Sequence, residues 1–174
     1  MRKMFSNITN SDFCLKCSGC CVFSEDEKVL SPYFSKKEAS FIDKNKLEKR
    51  DSLRQAKVFK VRKGAEDFYK CAFFELSSHK CKIYNKRPID CVIWPFVVGW
   101  DKKGKDVYIW IVNKDICPLA LSINTIKRKK VIDDLVDFLS STRFFEEIRN
   151  KERKIWPYFN YHVKIKKITN LINK

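Results

Sequence analysis

Residues 14–21 read CLKCSGCC, and this stretch holds four of the chain's eight cysteines. The other four follow singly, so the candidate metal ligands are Cys14, Cys17, Cys20, Cys21, Cys71, Cys81, Cys91 and Cys117. Thiolates are soft ligands for zinc and iron–sulfur clusters, and ligands close in sequence lose less chain entropy when one ion gathers them. The spacing therefore predicts a metal-binding cysteine region over residues 14–118.

Structural disulfides are the alternative use of so many cysteines. They form in oxidising compartments, which secreted proteins reach by means of a signal peptide. Residues 1–10 contain no apolar run of the length that a signal peptide needs, and no later run is long enough to span a bilayer. We therefore expect a cytoplasmic protein with reduced, metal-bound cysteines and no membrane association.

The length and charge of the chain limit its organisation and its partners. With 174 residues, among them 14 Phe, 6 Tyr and 4 Trp, it can bury a core of its own. We expect one domain over residues 1–174, in which the cysteine region is followed by a helical, basic region at 119–174. The formal charge of +16 suits nucleic acid, an acidic protein or anionic substrates. Nucleic acid is not the favoured partner, because solvated helix faces explain the basic clusters better.

Two residue types are scarce, and their scarcity excludes several enzyme classes. The four glycines do not fit the spacing of a phosphate-binding loop or a dinucleotide fingerprint. Only His79 and His162 are available for histidine-based acid–base chemistry, and we expect His79 in a solvated turn rather than on a metal. The sequence therefore assigns no catalytic residue and leaves enzyme activity open.

The patterns of polar and apolar residues predict an α+β fold, a small domain with short hairpins and C-terminal helices. Ser35 and Glu38 have the spacing of a capping box, which predicts a helix from there to about Asp43. Pro88 suits the first turn of a helix that carries Cys91. The other predicted elements are a strand at 58–61, a hairpin of 95–100 with 106–113, helices at 124–139 and from about 141, and a strand around 161–165.

The second group of cysteines poses a geometric question. Residues 69–75 and 82–84 can form a hairpin, which places Cys81 opposite Phe74. Cys71 then lies about three residues, roughly 10 Å, further along the strand, too far for one zinc ion to reach both thiols. Either this loop is irregular or the two cysteines bind different metals. The spacing does not divide the eight ligands between one site and two.

The opening motif bears on the choice between zinc and iron. If residues 14–21 were helical, the adjacent Cys20 and Cys21 would diverge by about 100°, which suits separate corners of a cluster better than one tetrahedral zinc. The C-x-x-C-x-x-C run also occurs in bacterial ferredoxins, where a remote cysteine precedes proline as Cys117 precedes Pro118 here. We therefore favour an iron–sulfur cluster, of the [4Fe–4S] type, over zinc.

Taken together, the motifs resemble a known family. The opening motif, Cys71, the run C-x-I-Y-x-x-R-P-x-x-C that ends at Cys91, the following W-P-F and the later C-P are similar to the YkgJ-type cysteine-cluster family of zinc- or iron-chelating domains. The resemblance covers about residues 14–118. It implies that the matching cysteines are ligands and that Arg87 and Pro88 shape the surroundings of Cys91. A related branch, the FliB-type lysine N-methylases, is similar over the cysteine cluster alone.

Three functions stay open at this point. The first is a cysteine-ligated redox or cluster-carrying accessory protein. The second is a zinc-structured module that binds a protein or nucleic acid. The third, implied by the distant resemblance, is an iron–sulfur-dependent protein lysine methyltransferase.

Overall fold

The computed structural model describes residues 19–50, 53–63, 66–113, 116–117, 120, 125–156 and 162–173. Short antiparallel sheets and short helices make up these ranges, so the α+β prediction is confirmed. The described residues up to Val92 form one compact unit, and those from Ile93 onward form a second. This boundary lies inside the predicted cysteine region, and the prediction of one domain over residues 1–174 stays a prediction. None of the helices in the described ranges is long and apolar enough to cross a bilayer.

The first unit is built from short strands. They are β1 (Val22–Phe23), β2 (Tyr33–Phe34), β3 (Leu47–Arg50), β4 (Leu53–Ala56), β5 (Val58–Lys63), β6 (Glu66–Cys71), β7 (Phe74–Glu75) and β8 (Lys80–Cys81). They pair antiparallel in three sheets, with the strand orders β1-β6-β5, β2-β4-β3 and β7-β8. The described residues of this unit also form the α-helices α1 (Lys36–Ala39) and α2 (Ile89–Val92) and 3-10 turns at Glu27–Leu30, Lys44–Lys46 and Tyr84–Lys86.

Aromatic side chains fill the core of this unit, and the cysteine region packs on it. The buried residues are Phe23, Phe34, Ala39, Ile42, Leu47, Ala56, Cys71, Phe73 and Phe74. Cys21 and Cys81 are partly buried against the same cluster. Burying each large aromatic side chain stabilises a fold by about 1.5–3 kcal/mol, so this core stabilises the packing of the segments that carry Cys21, Cys71 and Cys81.

The capping box predicted for α1 is present. The Ser35 hydroxyl accepts the N–H of Glu38 at 3.3 Å, and the Glu38 carboxylate accepts the N–H of Ser35 at 2.8 Å. The helix ends at Ala39, four residues earlier than predicted, because the chain turns there to bury Ile42 in the core.

The described residues of the second unit include a three-stranded antiparallel sheet and three helices for which both ends are described. The strands are β9 (Phe96–Trp100), β10 (Val107–Val112) and β11 (His162–Lys167), in the order β11-β10-β9. The helices are α3 (Thr125–Ser141), α4 (Phe144–Arg149) and α5 (Thr169–Ile172). The predicted hairpin, the two predicted helices and the late strand are therefore confirmed within the described residues.

The carboxylate of Asp106 links two chain segments in this unit. It accepts hydrogen bonds from the Lys167 ammonium at 2.7 Å and from the Thr169 hydroxyl at 3.0 Å. The hydrogen bond from Lys167 is the main cause that holds the pKa of Asp106 below its usual value. A depressed carboxyl pKa adds stability above the unfolded pKa of about 3.9, and that stability is lost as the pH falls through the folded pKa.

We expect Asp106→Asn to lower the urea midpoint of unfolding at neutral pH. Because the wild-type carboxylate is protonated in strong acid, the difference between the two proteins should shrink as the pH falls below about 3.9 and disappear once the pH is below the folded pKa. Urea titrations followed by tryptophan fluorescence at both pH values measure this. A difference of the same size at both pH values would show that Asp106 does not act through its charge.

Candidate metal centre

The adjacent cysteines at the start of the described chain lie close together. Cys20 and Cys21 are in a turn before β1, and their Sγ atoms are 3.9 Å apart. A helix through residues 14–21 is therefore wrong at its C-terminal end, where residues 19–21 form the turn. The divergence of about 100° expected for these two thiols does not occur, because it required helical backbone at this point. Cys14 and Cys17 lie outside the described residues.

Cys71 and Cys81 reach this region from separate strands. Cys71 is the last residue of β6, and its N–H donates to the carbonyl of Cys21 at 2.9 Å. Cys81 pairs with Phe74, as the sequence predicted. The chain turns between β6 and β7, however, so Cys71 is not on the strand that pairs with Cys81. This turn makes the loop irregular, so the separation of roughly 10 Å expected along one straight strand does not apply.

Cys91 is presented by the short helix α2. Pro88 precedes this helix, and its carbonyl accepts the N–H of Cys91 at 3.0 Å. The fixed φ of proline suits the start of a helix, so the predicted role of Pro88 is confirmed.

Two carboxylates fix the helix that carries Cys91. The second oxygen of Glu38 accepts the N–H of Ile89 at 2.8 Å. In the opposite direction, the carboxylate of Asp90 accepts the N–H of Tyr33 at 3.2 Å. Hydrogen bonds with one charged partner are stronger than neutral ones, so this reciprocal pair holds α2 against β2 and α1. These two links could not be predicted from the sequence, because the capping-box pattern uses only one carboxylate oxygen of Glu38.

We expect Glu38→Ala to destabilise the protein by about 1–3 kcal/mol, because the Ile89 and Ser35 amides then lose their acceptor. Metal affinity should also fall, by about 10- to 100-fold, as is usual when a group that orients a ligand is removed. Urea unfolding and competition with a chelator measure the two effects. Lys37→Ala, an exposed change on the same helix, is the control. Equal stability and equal metal affinity in the two variants would show that Glu38 does not orient the helix that carries Cys91.

The pKa values of the two adjacent thiols are shifted in opposite directions. A hydrogen bond from the Cys21 thiol is the main cause that lowers the pKa of Cys20, and the charge of Arg87 acts in the same direction. The same hydrogen bond, together with burial, raises the pKa of Cys21. Cys20 is therefore the thiol of the pair that loses its proton more easily.

Burial raises the pKa of the other three thiols. The pKa of Cys71 rises to about 12, and those of Cys81 and Cys91 rise as well. The negative charges of neighbouring cysteines contribute to these shifts, since Cys20 acts on all three. The five thiols therefore lie within electrostatic reach of one another. A bound cation would reverse these shifts, because it stabilises thiolates.

The described cysteine side chains do not form a complete metal site. Within the part of the chain that the structure describes, no three Cys, His, Asp or Glu side chains are placed so that they could hold a metal ion. His79 is exposed in a turn and packs edge-on against Phe74, as expected for a solvated histidine. Cys117 is buried in the second unit. The assignment of eight cysteine ligands therefore stays a prediction.

Comparison with known proteins gives one match. The sequence profile of the CxxCxxCC family, described as "Putative zinc- or iron-chelating domain", matches residues 13–118. No curated protein and no solved structure matches the chain. The matched residues make up more than half of the sequence and contain all eight cysteines. The chain thus belongs to the CxxCxxCC family of zinc- or iron-chelating domains.

Proposed function

We propose that this protein binds an iron–sulfur cluster through its cysteine thiolates and acts as a redox or cluster-carrying accessory protein. The observation that supports the proposal is that Cys20 shifts the pKa values of four other thiols of the first unit, those of Cys21, Cys71, Cys81 and Cys91, and lies 3.9 Å from the first of them. A full ligand set also requires ligands from outside the described residues or movement of these thiols on binding.

The donor set fits such a cluster. The candidate donors described in the first unit are thiols, which is the ligand type that iron–sulfur clusters require. When bound, a cluster of this kind exchanges electrons at a potential set by charge, hydrogen bonding and burial. In this chain, partial burial limits the access of water, and Arg87 favours the thiolate forms of Cys20 and Cys81.

Structural zinc is the second candidate, and one distance supports it. Two thiolates on one tetrahedral zinc ion, with Zn–S bonds of about 2.3 Å, lie about 3.8 Å apart. The Sγ atoms of Cys20 and Cys21 are 3.9 Å apart. This separation would allow the two adjacent cysteines to bind the same ion. The argument against a compact zinc site, which assumed that the two thiols diverge on a helix, therefore no longer holds. With zinc, the protein would be a metal-structured interaction module. The methyltransferase alternative gains no support from the described residues.

Elemental analysis of protein purified without oxygen separates these candidates. We expect iron together with acid-labile sulfide, and a brown colour that fades in air. Stoichiometric zinc in a colourless protein would contradict the iron–sulfur proposal and support the second candidate, structural zinc. Protein that contains neither metal, after expression with both supplied, would contradict both.

A further inference from the structure

A groove of about 480 Å³ opens on the surface of the first unit. Residues 41–46 form one wall, residues 81–86 form the other, and Phe73 contributes to the lining. Cys81 belongs to the second wall, so the groove lies beside the cysteine cluster. Neither metal binding nor the family match assigns this groove a role.

Exposed aromatic rings mark its rims. Phe41 is 67% exposed and Tyr84 is 37% exposed, and both are among the few large apolar side chains that the described residues leave open to solvent. The Arg87 guanidinium stacks 3.8 Å from the centre of the Tyr84 ring. Exposed apolar surface of this kind is unfavourable in water unless a ligand covers it, so it points to a binding role.

The same walls carry an excess of positive charge. Residues 41–46 and 81–86 contain four lysines but only one acidic residue, Asp43. Lys46 lies over the Phe73 ring at 5.9 Å, and Lys82 forms an ion pair with Glu75 on the neighbouring strand. Lys46, Lys82 and Lys86 all line the groove, which therefore suits an anionic ligand.

We propose that this groove binds single-stranded nucleic acid. A strand offers both features that the groove requires, since its bases stack on aromatic rings and its phosphates pair with lysines. A strand that passes through the groove lies next to Cys81 and hence beside the metal centre. The proposal holds for either metal.

Fluorescence anisotropy with a labelled oligouridylate of about 12 nucleotides tests this proposal on the protein with its metal bound. Phe41→Ala should raise the Kd at least about fivefold, and Phe41→Tyr, which keeps a ring, should leave it near the wild-type value. Lys86→Gln should weaken binding and reduce the slope of log K against log salt by about 0.7. The matched controls are Phe59→Ala, which removes a ring that is 47% exposed, and Lys49→Gln; neither residue lines the groove.

Four results would overturn the proposal. The first is no measurable binding of the oligouridylate at low salt. The second is an equal loss of affinity in Phe59→Ala and Phe41→Ala. The third is equal affinity for a duplex of the same length, which would show that charge alone attracts the ligand. The fourth is displacement by uridine monophosphate at the concentration at which the oligomer itself competes, which would identify a site for free nucleotides. Circular dichroism and metal content of each variant confirm that the fold is retained.

Discussion

Cys91→Ser is expected to lose most of the bound metal and to weaken metal affinity by more than about 100-fold. Changes to groups that merely orient a ligand already cost about 10- to 100-fold, so removing a thiolate ligand should cost more. Cys91 is a sharp test because α2 holds it in place through the Glu38 and Asp90 carboxylates. Serine keeps the size of the side chain and removes the sulfur. Metal content and chelator competition measure the loss.

The control for this prediction lies one residue away. Val92→Thr is a nearly isosteric change on the same helix, it also introduces a hydroxyl, and it should leave metal content unchanged. Cys20→Ser and Cys21→Ser, made separately, should both lose metal if the two thiols bind the same centre. Cys117→Ser tests whether the second unit supplies a ligand. Wild-type metal content in the Cys20, Cys21 and Cys91 variants alike would contradict the cysteine centre of the first unit.

The second large effect is expected in the second unit, at a buried ion pair. The Arg153 guanidinium donates to the Glu147 carboxylate at 2.9 Å, and the two side chains are only 1% and 7% exposed. Arg153→Met leaves the carboxylate buried without this partner. Breaking a buried pair from one side costs about 3–5 kcal/mol, because the remaining charge stays desolvated. Urea unfolding followed by tryptophan fluorescence measures this loss.

An exposed pair on the same helix provides the comparison. Arg143 and Glu146 form an ion pair at 2.9 Å, but their side chains are 53% and 46% exposed. Arg143→Met should therefore change stability little, since water and salt screen such pairs. In the double variant Arg153→Met, Glu147→Leu, most of the lost stability should return, because no buried charge is left unpaired. If Arg153→Met unfolded at the same urea concentration as Arg143→Met, the buried ion pair would contribute no more to stability than the exposed one.

Much of the local structure could be predicted from the sequence. The capping box at Ser35, the helix start at Pro88 and the pairing of Cys81 with Phe74 all depend on signals within a few residues of one another. The hairpin of β9 and β10 was recognisable for the same reason, since alternating apolar residues flank a polar turn. Local signals of this type specify where an element begins and which face it buries.

The arrangement of the cysteines depends on contacts that no local pattern reveals. The backbone hydrogen bond between Cys71 and Cys21 joins segments that are far apart in sequence, and so does the link from Glu38 to Ile89. The helical backbone that was considered for residues 14–21 is not present at residues 19–21, which form a turn. Cysteine spacing therefore predicts that thiols are used together, whereas tertiary packing decides which of them meet.

X-ray absorption at the metal edge of anaerobically purified protein tests the central claim most directly, because it reports the element and the atoms bound to it. We expect an iron edge with a first shell made of sulfur alone. A zinc edge with four sulfur atoms at about 2.3 Å would keep the cysteine centre and favour the second candidate. A first shell of nitrogen and oxygen at about 2.0–2.2 Å would contradict thiolate ligation and, with it, the function proposed for this chain.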